Sequence, residues 1–97
     1  MRLHITPEAY ADLDSIYTYI AEEQHQPQNA TRVLNRIVAT LESIQHHPHI
    51  GRATEYPFTH ELTIATLPFT VVYRIADDTI EIITVFHESQ HPDKKIR

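Results

Sequence analysis

Cysteine is absent from this chain of 97 residues, which excludes disulfides, thiolate nucleophiles and cysteine-bound zinc and is compatible with a reducing compartment. Lysine occurs only as Lys94 and Lys95, and basic residues number 8 against 13 acidic ones, for a net charge of −5. A chain so short of cations has no global attraction for nucleic acid or for anionic membranes. No apolar run approaches the roughly 18 residues of a membrane span, and Met1-Arg2-Leu3-His4 lacks the apolar stretch of a secretion signal. These absences predict a soluble, unexported, cytoplasmic protein. Glycine occurs once, as Gly51. It follows an expected helix end, where a left-handed backbone and hence a positive φ is the usual reason for glycine.

What is present is enough for one domain over residues 1–97. Apolar residues make up 41% and charged residues 22%, a balance that disordered chains do not reach. A chain of this length buries roughly 60–70% of its unfolded surface. Arg2-Leu3-His4-Ile5 alternates as a short strand does, and Thr6-Pro7 then supplies a capping hydroxyl and a proline for the first helical position. Ala9, Leu13, Ile16, Tyr17 and Ile20 form one stripe of a helix over residues 7–23, leaving Asp12, Asp14, Glu22 and Glu23 outside it. The polar Gln24–Asn29 segment with Pro27 reverses the chain. A second stripe follows, with Ala30, Val33, Leu34, Ile37, Val38, Leu41 and Ile44, and must stop before Pro48.

The second half is rich in β-branched and aromatic residues in three runs, Leu62–Leu67, Phe69–Ala76 and Ile80–Phe86. Pro68 and Asp77-Asp78-Thr79 separate them. The expected fold class is α+β: an N-terminal strand, an antiparallel helical hairpin, then a three-stranded antiparallel meander, with the helices on one face of a small sheet. Along the middle strand Phe69, Val71, Tyr73 and Ile75 should face the helices. Thr70, Val72, Arg74 and Ala76 should line a partly polar open face. Tyr10, Tyr17 and Tyr19 read as half-buried core residues with a wet hydroxyl rather than as stacking platforms.

His46, His47 and His49 fall within four residues, and His87 and His91 are four apart. Neither group has a cysteine or a preset acidic ligand to complete a zinc site. Both read as surface histidines, with no metal and no cofactor expected.

Several segments together resemble the RelE/ParE toxin superfamily, on the ParE side of it. Asp12-Leu13 through Tyr19-Ile20 resembles the superfamily's first helix. Pro48-His49-Ile50-Gly51-Arg52 resembles its Pro-x-x-Gly-Arg turn after the second helix, and His60-Glu61-Leu62 the Arg-Glu-Leu that opens its second strand, with His60 replacing the arginine. Pro68-Phe69-Thr70-Val71-Val72-Tyr73-Arg74 resembles its Pro-Tyr-x-Val-x-Tyr-Arg strand, and Val85-Phe86-His87 its last strand.

The resemblance implies the toxin of a type II toxin–antitoxin system, active in plasmid stabilisation, with an antitoxin that folds on binding and joins it in a hetero-oligomer. It implies two activities. ParE-type members block DNA gyrase, and Lys94, Lys95, Arg97 and Arg52 would then be target contacts. RelE-type members cleave messenger RNA on the ribosome, and His87, Arg74 and Glu61 would then be the catalytic set, for proton transfer and phosphate stabilisation. The RelE-like pattern places a cation where this chain has Thr70, so gyrase inhibition without an enzymatic site is the favoured expectation. A silent member that only binds a partner is the third reading.

Overall fold

The architecture is a five-stranded mixed sheet with two helices on one face, seen in a computed structural model that describes residues 1–89. Strand β1 (Arg2–Ile5) leads into helix α1 (Pro7–Thr18), which continues as a π-helical turn, Tyr19–Glu23. Helix α2 spans Pro27–His46, and the short β2 (Arg52–Ala53) precedes β3 (Thr59–Thr63), β4 (Phe69–Ala76) and β5 (Thr79–His87). The spatial order is β1-β5-β4-β3-β2, so both short strands stand at the edges. β1 pairs with β5 in parallel and all other neighbours are antiparallel.

The expected fold class holds, and its boundaries move where side-chain pattern and hydrogen bonding disagree. Pro27 starts α2 rather than interrupting the chain, because the first helical position has no use for an N–H. Only Gln24–Gln26 separates the helical segments. The strand expected at Leu62–Leu67 is instead Thr59–Thr63, since Ile64–Pro68 turns the chain: the N–H of Ile64 donates to Phe69 O at 2.9 Å and that of Leu67 to Ile64 O at 3.2 Å. Thr66 in this turn has a φ of 70°.

Thr6 caps α1 as expected, accepting from the N–H of Ala9 at 3.1 Å. Ala30, Val33, Ile37, Leu41 and Ile44 of α2 are buried against Val71, Tyr73, Ile80, Ile82 and Val85 of the sheet, with Ala9, Leu13 and Ile20 between. Val38, at the border of the apolar stripe, is exposed. Tyr10 and Tyr19 are exposed rather than half-buried, and Tyr17 lies at the boundary, because the core-facing arc of α1 is narrower than the apolar one.

The far side of β4 also departs from expectation. Arg74 is exposed, yet Thr70 and Val72 are buried, as is Phe86 opposite Thr70. Side chains of adjacent strands pair on this face: Thr63 and Thr70 share a hydrogen bond of 3.1 Å, and Arg74 reaches Glu81. Between Val72 and Tyr73 the β4–β5 register slips by one residue, leaving Ile83 as a bulge.

Candidate functional site

Arg74 and Glu61 lie on the face away from the helices, and both are already partnered. Arg74 stands opposite Glu81, and its Nε and Nη2 donate to Glu81 Oε1 at 3.0 and 2.7 Å. Glu61 stands opposite Arg52 and forms an ion pair with it. The Arg52 side chain keeps 80% of its exposure, which leaves the pair in high dielectric and its guanidinium within reach of solvent or a partner.

His87 is elsewhere. It is paired across the strands with Phe69, five residues along β4 from Arg74, or roughly 16 Å at strand rise. Its ring meets Phe69 edge-on at 5.3 Å, on the helix side of the sheet. The N–H of Ser89 donates to His87 Nδ1 at 3.0 Å, which in the neutral ring puts the proton on Nε2. The imidazole lines a concavity of about 350 Å³ between α1 and the end of β5, with Asp12, Ser15, Ile16 and Tyr19. The three residues named as a catalytic set are thus not brought together. Two form ion pairs on one face, and the third is on the other.

Lys94, Lys95, Arg97 and His91 lie outside the described residues. His46, His47 and His49 are all exposed. Among the described residues, no group of three His, Cys, Asp or Glu side chains converges on one point.

A polar node that sequence reasoning missed surrounds Tyr73. The side chain faces the helices as expected and is fully buried, but its hydroxyl reaches the turn after α2. It donates to Pro48 O at 2.7 Å and accepts the N–H of Gly51 at 2.9 Å. Burial pushes the phenol pKa above its ordinary 10.0, and the Gly51 bond partly offsets that. Gly51 therefore has a different cause from the one expected. It has no positive φ. A Cβ there would come within 2.6 Å of the Tyr73 hydroxyl and 2.8 Å of Glu61 O, so glycine is required for close approach. His60 stacks on Tyr73 at 5.5 Å and meets His49 edge-on at 5.6 Å.

Asp12 is the second missed residue. Its Oδ2 accepts from the Thr84 hydroxyl and, at 3.0 Å, from the N–H of Val85. A helical wheel holds the signal, since position 12 lies only about 60° from Ala9 at the 3.6-residue period.

On the outer surface of the hairpin, Ile5, Tyr10, Leu13, Tyr17, Leu34 and Val38, with Asp14, line a mostly apolar groove of about 490 Å³. The molecule thus presents a strand–hairpin–meander scaffold, an apolar groove, and Arg74, Glu61 and His87 scattered rather than convergent.

Comparison with known proteins agrees. Residues 3–92 match the family described as the ParE toxin of type II toxin–antitoxin system, parDE. The Y4kP protein of Sinorhizobium fredii is 37% identical over 89 residues, covering 92% of this chain and 90% of that one. Toxin ParE1 of Caulobacter vibrioides is 32% identical over 87 residues, covering 90% and 88%. The structure of the chromosomal ParDE TA system from P. aeruginosa superposes with a TM-score of 0.77 at 30% identity, over 90% of this chain and 95% of that chain. Isolated E. coli RelE shares the fold, with a TM-score of 0.70 at 12% identity over 96% and 89% of the two chains. The architecture is that of the RelE/ParE superfamily. Within it, the chain belongs to the ParE toxin family.

Proposed function

We propose that the chain is a growth-inhibiting toxin that poisons DNA gyrase in the cytoplasm, stabilises the replicon carrying it and is neutralised by a cognate antitoxin. The observation that carries the target is the dispersal of Arg74, Glu61 and His87. In-line cleavage beside a ribose hydroxyl needs base, acid and cation around one phosphate. Here Arg52 and Arg74 are each bound to a carboxylate on that face, and His87 is on the other side of the sheet. A toxin that acts by protein contact needs no such cluster, and Arg52 with Lys94, Lys95 and Arg97 would then supply cationic contacts to gyrase.

Membership of a toxin–antitoxin family supports the antitoxin, and the apolar groove supports where part of it sits. Tyr10, Tyr17 and Val38 are solvent-exposed around a floor of Leu13 and Leu34, a shape that fits the apolar face of an amphipathic helix. Such a partner folding on binding makes the pair a toxin–antitoxin hetero-oligomer.

The test is a pair of assays on the purified chain: supercoiling of relaxed plasmid by DNA gyrase, and ribosome-dependent cleavage of messenger RNA. The expected outcome is loss of supercoiling, with a His87→Ala variant equally inhibitory and intact messenger in both cases. Messenger cleavage lost in His87→Ala would overturn the gyrase reading and establish a nuclease.

A further inference from the structure

The turn between β2 and β3 carries a residue that the needs of the fold do not explain. Phe58 is 71% exposed, more than any other large apolar side chain among the described residues. Its φ of 58° lies in the left-handed region, which bulky side chains avoid. The other described non-glycine residues with positive φ are His25, Thr66 and Asp77, so Phe58 is the one large apolar side chain held in this way. Asparagine or glycine would take the same backbone with less strain. Neither burial nor local preference therefore calls for phenylalanine here.

The turn holds that conformation firmly. Phe58 O accepts the N–H of Ile75 in β4 at 2.9 Å. The buried Thr59 behind it donates its N–H to Tyr56 O at 3.2 Å and its hydroxyl to Pro57 O at 2.9 Å. Thr54 closes the loop, donating its N–H to Thr59 O at 2.9 Å and accepting the N–H of Tyr56 on its hydroxyl at 3.1 Å. A strained residue persists only where its neighbours over-determine it, and such residues cluster at functional sites. A ring presented on a fixed turn also has little freedom left to lose when a partner binds it.

Its neighbours indicate what kind of partner that is. Tyr56, on the same turn, is 37% exposed, and Arg52 keeps 80% side-chain exposure despite its pairing with Glu61. The register sets Arg52 opposite Glu61, three residues from Phe58, or roughly 10 Å at strand rise. Aromatic rings with an arginine are the side chains that dominate the energetics of protein interfaces. A nucleic-acid strand fits less well, because the exposed Glu55 lies on the turn and the chain carries a net charge of −5. The apolar groove of the helical hairpin includes Ile5 of β1, at the other edge of the sheet, so the two surfaces are separate.

We propose that the β2–β3 turn is the anchor by which the chain grips its target protein: Phe58 enters an apolar pocket of that protein, Tyr56 packs at the pocket mouth, and Arg52 meets a carboxylate on its rim. The strain and exposure of Phe58 are then the cost of an interface held ready in the free protein. The inference rests on the function proposed above, in which the target is DNA gyrase, and it adds Phe58 and Tyr56 to Arg52 as the residues that touch it.

Phe58→Asn tests this, because asparagine suits the left-handed backbone while removing the ring, which separates anchoring from folding. Its thermal midpoint should equal or exceed the parent's, while the concentration that halves gyrase supercoiling rises at least about tenfold. Phe58→Leu keeps an apolar anchor and should stay within roughly threefold of the parent. A lower midpoint for Phe58→Asn would make the ring structural, and undiminished inhibition would leave it without a target; either result overturns the proposal. So does a parent dimer in sedimentation that Phe58→Asn dissociates, since the ring would then join two copies of the chain. Binding of a single-stranded oligonucleotide that Phe58→Asn abolishes overturns it as well, since the ring would then stack on bases. Growth arrest on induced expression keeps the result apart from the gyrase reading. If the parent arrests growth with supercoiling intact, and Phe58→Asn at equal abundance does not, the anchor stands and gyrase is not its target. If parent and Phe58→Asn abolish supercoiling alike, the gyrase reading stands and the anchor falls. A parent without effect in either assay overturns both.

Discussion

The two edges of the sheet are finished in opposite ways. At the β5 edge, β1 runs out at Ile5 and the groups beyond are taken by side chains. The Thr6 hydroxyl donates to Ile82 O at 2.8 Å and to Ile83 O at 3.2 Å, and Asp12 receives the Val85 N–H and the Thr84 hydroxyl. At the β3 edge, β2 covers two residues, Arg36 reaches one carbonyl, and Thr63 is left facing outward. Free strand edges promote unwanted pairing, and natural sheets usually close them. The difference teaches that side-chain bonds at the closed edge hold α1 to the sheet, while at the other edge Thr63 turns its backbone groups outward.

Substitutions sharpen this comparison, the largest effect first. Gly51→Ala drives a Cβ against Tyr73 and the Glu61 carbonyl. Overpacking of this kind costs about 1–3 kcal/mol, more where backbone cannot yield, and urea denaturation should show a loss at or above the top of that range. Asp12→Ala strips the closed edge of its acceptor and leaves the fully buried Thr84 hydroxyl without it. Bonds to a charged acceptor contribute about 1.5–3 kcal/mol, and the same titration should show a loss of that size. An effect near zero for Asp12→Ala would mean that the edge is not held by that carboxylate.

Tyr73→Phe removes the pin on the Pro48–Gly51 turn and leaves a carbonyl and an N–H to find water, for a loss of about 1–2 kcal/mol. It also changes the alkaline limb of the stability curve. Because the folded-state pKa is raised, the folded protein holds the phenol proton more tightly than the unfolded chain does. This contribution is fully present below pH 10.0 and is lost as pH rises through the higher folded value. Stability of the parent chain should therefore begin to fall as pH rises past 10.0, and Tyr73→Phe should lack that part of the slope. The smallest effect is at Phe58, a residue with a φ of 58° and 71% exposure. Replacing it with glycine relieves a left-handed strain of about 1 kcal/mol, offset in part by greater freedom of the unfolded chain. Thermal unfolding should move upward by a degree or so, or not at all.

Much of the scaffold was legible because periodicity reports directly on burial. The stripes of α1 and α2 and the alternation of β4 put Ile37, Leu41, Val71 and Tyr73 in the core, where they lie. Strand β3 was displaced because Thr59-His60-Glu61 carries no β-branched apolar run, while Ile64 and Leu67, which do look like strand, pack from a turn. Gly51 was legible as special but not for the right cause, since the hydroxyl it accommodates comes from 22 residues away. Asp12 reads as a solvent-facing acid until its partner strand is known. The pairing of β1 with β5, and with it the unequal edges, depends on register that no local pattern encodes. The same holds for the proposed catalytic set: strand position placed Arg74 and His87 correctly on β4 and β5, but not their faces relative to one another.

The contrast between the edges is tested most directly by residue-resolved amide hydrogen exchange on the free protein. Val85 at the closed edge should exchange only through near-global opening, while Thr63 exchanges orders of magnitude faster than Leu62 and Ile64 on either side of it. Equal protection at Thr63 and its two neighbours would contradict the contrast between the two edges.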